Sequence, residues 1–407
     1  MSTNSANEEF REAVITADLV RMKASVENGT NIDADDNYAL SFSAGNGHLG
    51  IVKYLVEKGA DIHAHNEDAL YWSAERGHLE VVQYLVEQGA DIHANCDDAL
   101  RVCAGSGRVK VVEYLLEKGA DIHADNDGAL RWSAQTGQLD MVKYLLEKGA
   151  NLHANDDEAL RISAQTGQLD MVKYLLEKGA DIHADGEYAL HVSVERGHLN
   201  VVKYLLENGA DIHADNDRAF RWSAINGHLE IAKYLIVNGA YIQSVRYALL
   251  WSAGNGHLEV VKYLVEQYGD IALRNFDDIL VYSMDHDRME VFKYLLRHVA
   301  YIPSNITQAI RTSPHHCRDI EMIKYLVYQT STGRTDDFEY KYNAFKDRPY
   351  ITVHIEAEYN RRRQIQSEIR HLLANHALHF HLRPSSLRVA WTGVLFNHDF
   401  ADRMYWE

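Results

Sequence analysis

The segment SAQTGQLDMVKYLLEKGA occupies residues 133–150, and the same eighteen residues return unchanged at 163–180. Identity over that length inside one chain marks an internal duplication, and its offset is 30 residues. The offset holds far beyond these two copies. Gly-Ala recurs at Gly59, Gly89, Gly119, Gly149, Gly179, Gly209 and Gly239, always 30 residues apart. Residues 61–90 give the frame: Asp61, Ile62, His63 and Ala64, then Ala69 and Leu70, Ser73 and Ala74, Gly77, His78 and Leu79, Val82, Tyr84 and Leu85, Glu87, and Gly89 with Ala90. The frame fits from Asn31 to Ala240 without a gap and continues, with one-residue slips, through 241–269, 270–300 and 301–330. A fixed period of this length points to one stacked repeat array and against several compact domains.

Each unit reads as helix, turn, helix, loop. The first helix is expected over about residues 68–76, with Leu70, Ser73 and Ala74 on one face. Small residues there let neighbouring helices approach. Before it stands an acid or Asn in each early unit: Asn37, Glu67, Asp97, Asp127, Asp157, Glu187, Asp217. These are expected to cap the helix or favour its positive end. Gly77 ends this helix and Gly89 ends the second, which runs from about 79 to 88 with Leu79, Val82 and Leu85 as its buried stripe. The stretch from Ala90 to Ala94 is too short for a full strand and reads as a tight extended connection.

The order Gly-His-Leu-Glu-Val-Val, Tyr-Leu-Val-Glu, Gly-Ala-Asp-Ile resembles the ankyrin repeat over about residues 1–330. Two departures stand out. The family unit is about 33 residues and carries Thr-Pro-Leu-His, whereas the unit here is 30 and reads Asp68-Ala69-Leu70-Tyr71. The missing residues fall between His63 and Leu70, so the family's hairpin fingers should be truncated. Near-perfect 30-residue repeats also look like the ankyrin paralogues of giant amoeba-infecting DNA viruses. The resemblance implies an all-α ankyrin-repeat solenoid. Its expected divisions are a degenerate N-terminal capping repeat over 1–30, nine repeats over 31–300, a degenerate last repeat over 301–330, and a small, mainly helical C-terminal module over 331–407. The cap's polar residues Glu8, Arg11, Glu12, Asp18, Arg21 and Lys23 suit a solvated end.

The tail differs in charge as well as in pattern. The whole chain carries 41 Lys plus Arg against 59 Asp plus Glu, a formal charge of -18. Residues 331–407 hold 11 against 10, so about +1 falls there and -19 on the array. Ile351, Val353 and Ile355 alternate like a short strand, and 357–377 reads as a helix. Pro384-Ser385-Ser386-Leu387 before an apolar stretch faintly resembles an F-box, which would recruit a ubiquitin-ligase component through 331–407. The acidity disfavours nucleic acid as the partner of the array. No apolar run approaches a membrane span. Three Cys rule out a disulfide framework, and Met1–Phe10 lacks the apolar core of a signal peptide. The expected location is intracellular and cytoplasmic (the host cytoplasm if the protein is viral), not secreted.

Chemistry-bearing motifs are weak. Gly45-Asn46-Gly47-His48-Leu49-Gly50 spells Gly-x-Gly-x-x-Gly, but it is one copy of the turn between helices. Six His stand at one repeat position, from His63 to His213, and five at another, including His48, His78 and His198. Copies one unit apart cannot share an ion, so they read as turn hydrogen bonders. His371, His376, His379 and His381 lack the accompanying ligands of a metal site, and the same holds for His315, His316 and Cys317. Ser73 and its copies read as small packing residues. No nucleophile, base and acid assemble, so neither an enzyme nor a cofactor is expected.

What varies against this regular background is the pair after each Leu70 equivalent: Tyr71-Trp72, Arg101-Val102, Arg131-Trp132, Arg161-Ile162, His191-Val192, Arg221-Trp222, Leu250-Trp251. The ankyrin resemblance puts these on the first helix, toward the concave surface. Trp and Arg are enriched at interface hot spots. Tyr71, Trp72, Arg76, Arg101, Arg131, Trp132, Arg161, Arg196, Arg221, Trp222 and Trp251 are therefore the candidate partner-binding residues. The competing expectation packs Trp between repeats and pairs Arg with acids such as Asp97, Asp127 or Glu158. The turn residues Glu75-Arg76, Gln135-Thr136, Gln165-Thr166, Glu195-Arg196 and Ile225-Asn226 are expected to be exposed. The leading function is a non-enzymatic protein-interaction scaffold; the alternatives are a ubiquitin-ligase adaptor and a virion-associated structural protein.

Overall fold

The computed structural model describes residues 3–297, apart from residue 31 and residues 33–37, 242–243 and 273–275. Asn37, the expected last repeat over 301–330 and the tail features beyond it lie outside the described residues. So do the histidine clusters after residue 300. The described residues form twenty α-helices and no strand. They alternate as pairs: Thr3–Ile15 with Leu19–Glu27, Tyr38–Gly45 with Leu49–Glu57, Ala64–Arg76 with Leu79–Glu87, and so on to Phe276–Asp285 with Met289–Arg297. By contacts the chain divides into two units, Met1–Ser252 with Glu259–Leu273, and Ala253–Leu258 with the residues from Arg274 on. The first of these holds every variable pair, from Tyr71-Trp72 to Leu250-Trp251.

The core is one pattern repeated. In the second helix Val81, Val82 and Leu85 are buried, while Leu79 is only half-buried. The buried stripe is thus centred one step away from the one expected. In the first helix Ala69, Leu70, Ser73 and Ala74 are buried. Ser73 donates its hydroxyl to the Leu70 carbonyl, so a fully enclosed polar group is satisfied locally. The small Ser and Ala side chains leave room for the first helix of the next unit to pack directly on this one.

Both helices end in the same hydrogen-bonded motif. The Ala90 amide bonds to the Leu85 carbonyl at 3.0 Å and the Gly89 amide to the Val86 carbonyl at 3.1 Å. Gly89 sits at φ +103°, far from where a side chain is comfortable, which is why Gly-Ala recurs at each unit end.

The segment between units departs from the sequence expectation. It is short, but it turns where an extended connection was expected: His63 and His93 have ψ of 1° and 0°. His65, Asn66 and Glu67 all have positive φ, at 52°, 56° and 69°, and the five following units described do the same, from Asn95–Asp97 to Asp215–Asp217. Three consecutive left-handed residues cost about 1–2 kcal/mol each for ordinary L-residues. The composition reflects that cost: these triplets are mostly Asn and Asp, with Gly186 in one. Glu67 and its copies are therefore not helix N-caps. They lie inside a left-handed turn, and they are buried.

Candidate interaction surface

The buried acid of each unit ties two units together. Asp157 is 4% exposed. Its Oδ1 accepts from His153 Nδ1 at 3.0 Å and from the Asp181 amide of the next unit at 3.1 Å. Asp97 repeats this with His93 and the Asp121 amide, and Asp127 with His123 and the Asn151 amide. Asp217 takes His213, the Tyr241 amide and the Ser244 hydroxyl. The histidine column of the turn is thus a set of hydrogen bonders to these acids. Where the acid is Glu, its bond to His63 or His183 raises that imidazole's pKa above its ordinary value. The second histidine column links units differently: His78 Nε2 lies 3.1 Å from the Gly45 carbonyl, and His198 and His228 make the equivalent contact with the turn before them. The ring approaches so closely that a Cβ on Gly47 would stand 2.5 Å from His78 Nδ1.

The arginines of the variable pair are engaged within the array. Arg131 donates to the Asn126 carbonyl through Nε, to the Asp125 carbonyl and carboxylate through one terminal nitrogen, and to Glu158 of the next unit through the other. Arg161 bonds the Asn155 carbonyl and reaches Asp185 at 2.7 Å. Arg221 bonds the Asp215 carbonyl. Arg101 pairs with Asp98 and lies 4.0 Å from Asp125. Arg131, Arg161 and Arg221 therefore each clamp a left-handed turn. Of the acids expected as partners, Glu158 is one, whereas Asp97 and Asp127 instead serve the histidines and the next unit's amides.

The tryptophans are not packed away. Trp72, Trp132 and Trp251 are 37%, 38% and 42% exposed, which corrects the expectation that they fill the space between repeats. The first two lie close against the preceding unit: a Cβ on Gly45 would stand 3.0 Å from Trp72 Cβ, and one on Gly105 would stand 3.1 Å from Trp132 Cε3. Trp222 is half-buried, with Arg218 stacked 4.4 Å from its ring centre. Arg76 and Arg196 are exposed at the turn, as are Gln135, Thr136 and Thr166, whereas Glu75, Gln165, Glu195, Ile225 and Asn226 are half-buried. Arg76 also bonds the Gly45 carbonyl and Asn46 of the preceding unit.

A family model of ankyrin repeats, three copies long, matches residues 13–96, 93–156, 130–216, 160–246 and 220–308. Together these matches run over well more than half of the chain. The chain belongs to the ankyrin-repeat family. A search of curated proteins finds no match for it. Ankyrin-repeat proteins are in general non-enzymatic modules that bind other proteins, so the family points to a protein partner.

Three features of this ankyrin array escape a reading of its sequence. The first is the left-handed turn, whose signal is the run of Asn and Asp. The second is His191, in the column of Arg131, which is buried, with Nε2 making no hydrogen bond. Burial, and then Arg218, push its pKa down to about 4. The third is a cleft of about 290 Å³ beside Tyr71 and Trp72, whose rings meet edge to face at 5.0 Å. Burial and then the Asp98 charge raise the Tyr71 pKa. Among the described residues no three His, Cys, Asp or Glu side chains gather as metal ligands, and no helix is long and apolar enough to cross a membrane.

Proposed function

We propose that this chain is a scaffold that binds a protein partner across the first-helix face of its repeats. The observation carrying the reading is the column Trp72, Trp132 and Trp251, large aromatics left about two-fifths exposed in one repeat register. Exposed aromatics spaced along a rigid frame supply contact area at low entropic cost. Tyr71, Trp222, Arg76 and Arg196 border the same face. Arg131, Arg161 and Arg221 hold the turns beneath it, Arg101 pairs with Asp98 beside them, and all four act on the partner through that support. The acidity of the array favours a partner with a basic surface.

The test is affinity purification with the full chain as bait, comparing wild type with Trp72→Ala/Trp132→Ala. Proteins bound at this face should fall at least tenfold, with the unfolding midpoint changed by only a few degrees. A folded double variant that retains the same proteins at the same level sinks the reading. The same purification addresses the adaptor alternative: a ubiquitin-ligase subunit held by the full chain and lost from residues 1–330 would assign that role to residues 331–407.

A further inference from the structure

Arg131 shows how this array holds a guanidinium: two carbonyls of the left-handed turn, at Asp125 and Asn126, and a carboxylate of the next unit, Glu158. Sixty residues earlier the frame places Tyr71 at the arginine position, His65 and Asn66 at the turn positions, and Asp98 at the Glu158 position. These four residues border the 290 Å³ cleft. The unit thus keeps the surroundings of the arginine and lacks the arginine itself.

A second observation points the same way. Glu67 also borders the cleft. It is 4% exposed, and its Oε2 makes no hydrogen bond. The equivalent Asp97 gives one oxygen to His93 and the other to the next unit's amide. A buried carboxylate oxygen without a donor is unfavourable, and a cation brought beside it relieves the cost. Asp68 borders the same cleft and adds a second carboxylate to it. The aromatic pair adds a face of the kind that this array already uses: Arg101 lies 5.2 Å from the Trp132 ring centre and Arg161 5.2 Å from that of Tyr188.

We propose that this cleft takes an arginine side chain of the protein partner, which supplies in trans the guanidinium that Arg131 supplies in cis. The inference rests on the reading of this face as partner-binding. Arginine suits it better than lysine, because a planar fork reaches carbonyl and carboxylate acceptors together. Asp98 already holds Arg101, and sharing is no obstacle: Asp125 lies 3.0 Å from Arg131 and 4.0 Å from Arg101.

The test titrates the full chain with acetyl-Ala-Arg-Ala-amide and with its neutral citrulline counterpart. The readout is the indole N–H resonance of Trp72, identified by its loss in Trp72→Phe. The expected result is a saturable shift with the arginine peptide and at least tenfold weaker binding of the citrulline peptide. Tyr71→Arg should fill the site from within, abolish the saturable shift and raise the unfolding midpoint. Asp68→Asn should weaken the arginine peptide severalfold. An absent saturable shift, equal binding of the citrulline peptide, or undiminished binding to folded Tyr71→Arg overturns the inference. Should Tyr71→Arg fail to fold, unchanged affinity in Asp68→Asn overturns it instead. If the tryptophan double variant loses its partner while the arginine peptide shows no saturable shift, the arginine site fails and the interaction face stands.

Discussion

Asp157→Ala removes the tie between two adjacent units, and its cost can be worked from the geometry. The carboxylate is almost fully buried and accepts from His153 at 3.0 Å and from the Asp181 amide at 3.1 Å. The imidazole side chain is 59% exposed, so water replaces its bond and that loss stays below about 1 kcal/mol. The amide is different. It loses a charged acceptor inside the interface, worth about 1.5–3 kcal/mol. Asp157 also sits at φ 55°, where Ala is less tolerated than Asp by up to about 1 kcal/mol. The sum is about 3 kcal/mol. Asp157→Asn keeps an amide acceptor and a residue suited to this φ, and it should cost under about 1 kcal/mol. Global unfolding of repeat arrays is often not two-state, so the measurement is hydrogen exchange at the Asp181 amide. A loss of about 3 kcal/mol speeds that exchange on the order of 100-fold in the Ala variant, with less than tenfold in the Asn variant. Exchange in Asp157→Ala within about threefold of wild type would refute the reasoning, as would an Asn variant as damaged as the Ala variant.

Three further outcomes are expected from the same turns and columns. Cys96 stands at φ 59° and Gly186 at φ 63° in equivalent turns; Cys96→Gly should raise stability, and Gly186→Ala lower it, by about 0.5–1 kcal/mol in urea unfolding, since nothing lies within 4 Å of a Cβ at Gly186. His191 is neutral in the fold down to about pH 4, held there by burial and by Arg218 against the opposing pull of Asp215. Its stabilisation is full above its unfolded value of about 6.5 and fades as pH falls toward 4, by up to about 3 kcal/mol, so His191→Leu should lose less stability than wild type across that window in pH-dependent melting. His63 and His183 have the opposite sign. Their hydrogen bonds to Glu67 and Glu187 raise the folded-state pKa, so their contribution is full below about pH 6.5 and is lost as pH rises through the raised value. Between pH 6 and 8.5 the melting temperature of wild type should fall more than that of His63→Gln/His183→Gln.

How far a feature can be read from the chain depends on whether its cause is local. Gly89 at each helix end and Ser73 in each packed face follow from backbone and side-chain chemistry within a few residues, and spacing alone reveals both roles. The acid at Glu67 reads as a cap because capping is the commonest local use of an acid before a helix. Its real partners are an imidazole four residues back in Glu67's case and, at Asp97 to Asp217, also an amide 24 residues ahead. The second partner appears only when units are stacked. The same holds for Arg131, whose ion pair crosses 27 residues.

The 30-residue period by itself determined a stacked array of helix pairs, because a unit that cannot enclose its own apolar stripe must stack on its copies, and the order of motifs within the unit pointed to the family. Only the tertiary structure decided which members of the variable pair face outward. Tryptophan and arginine stand next to each other on one helix, about 100° apart around its axis, and composition cannot say which of them the next unit covers. Stacking covers the arginines, because turn carbonyls and a neighbouring carboxylate lie within their reach. It leaves Trp72, Trp132 and Trp251 about two-fifths exposed.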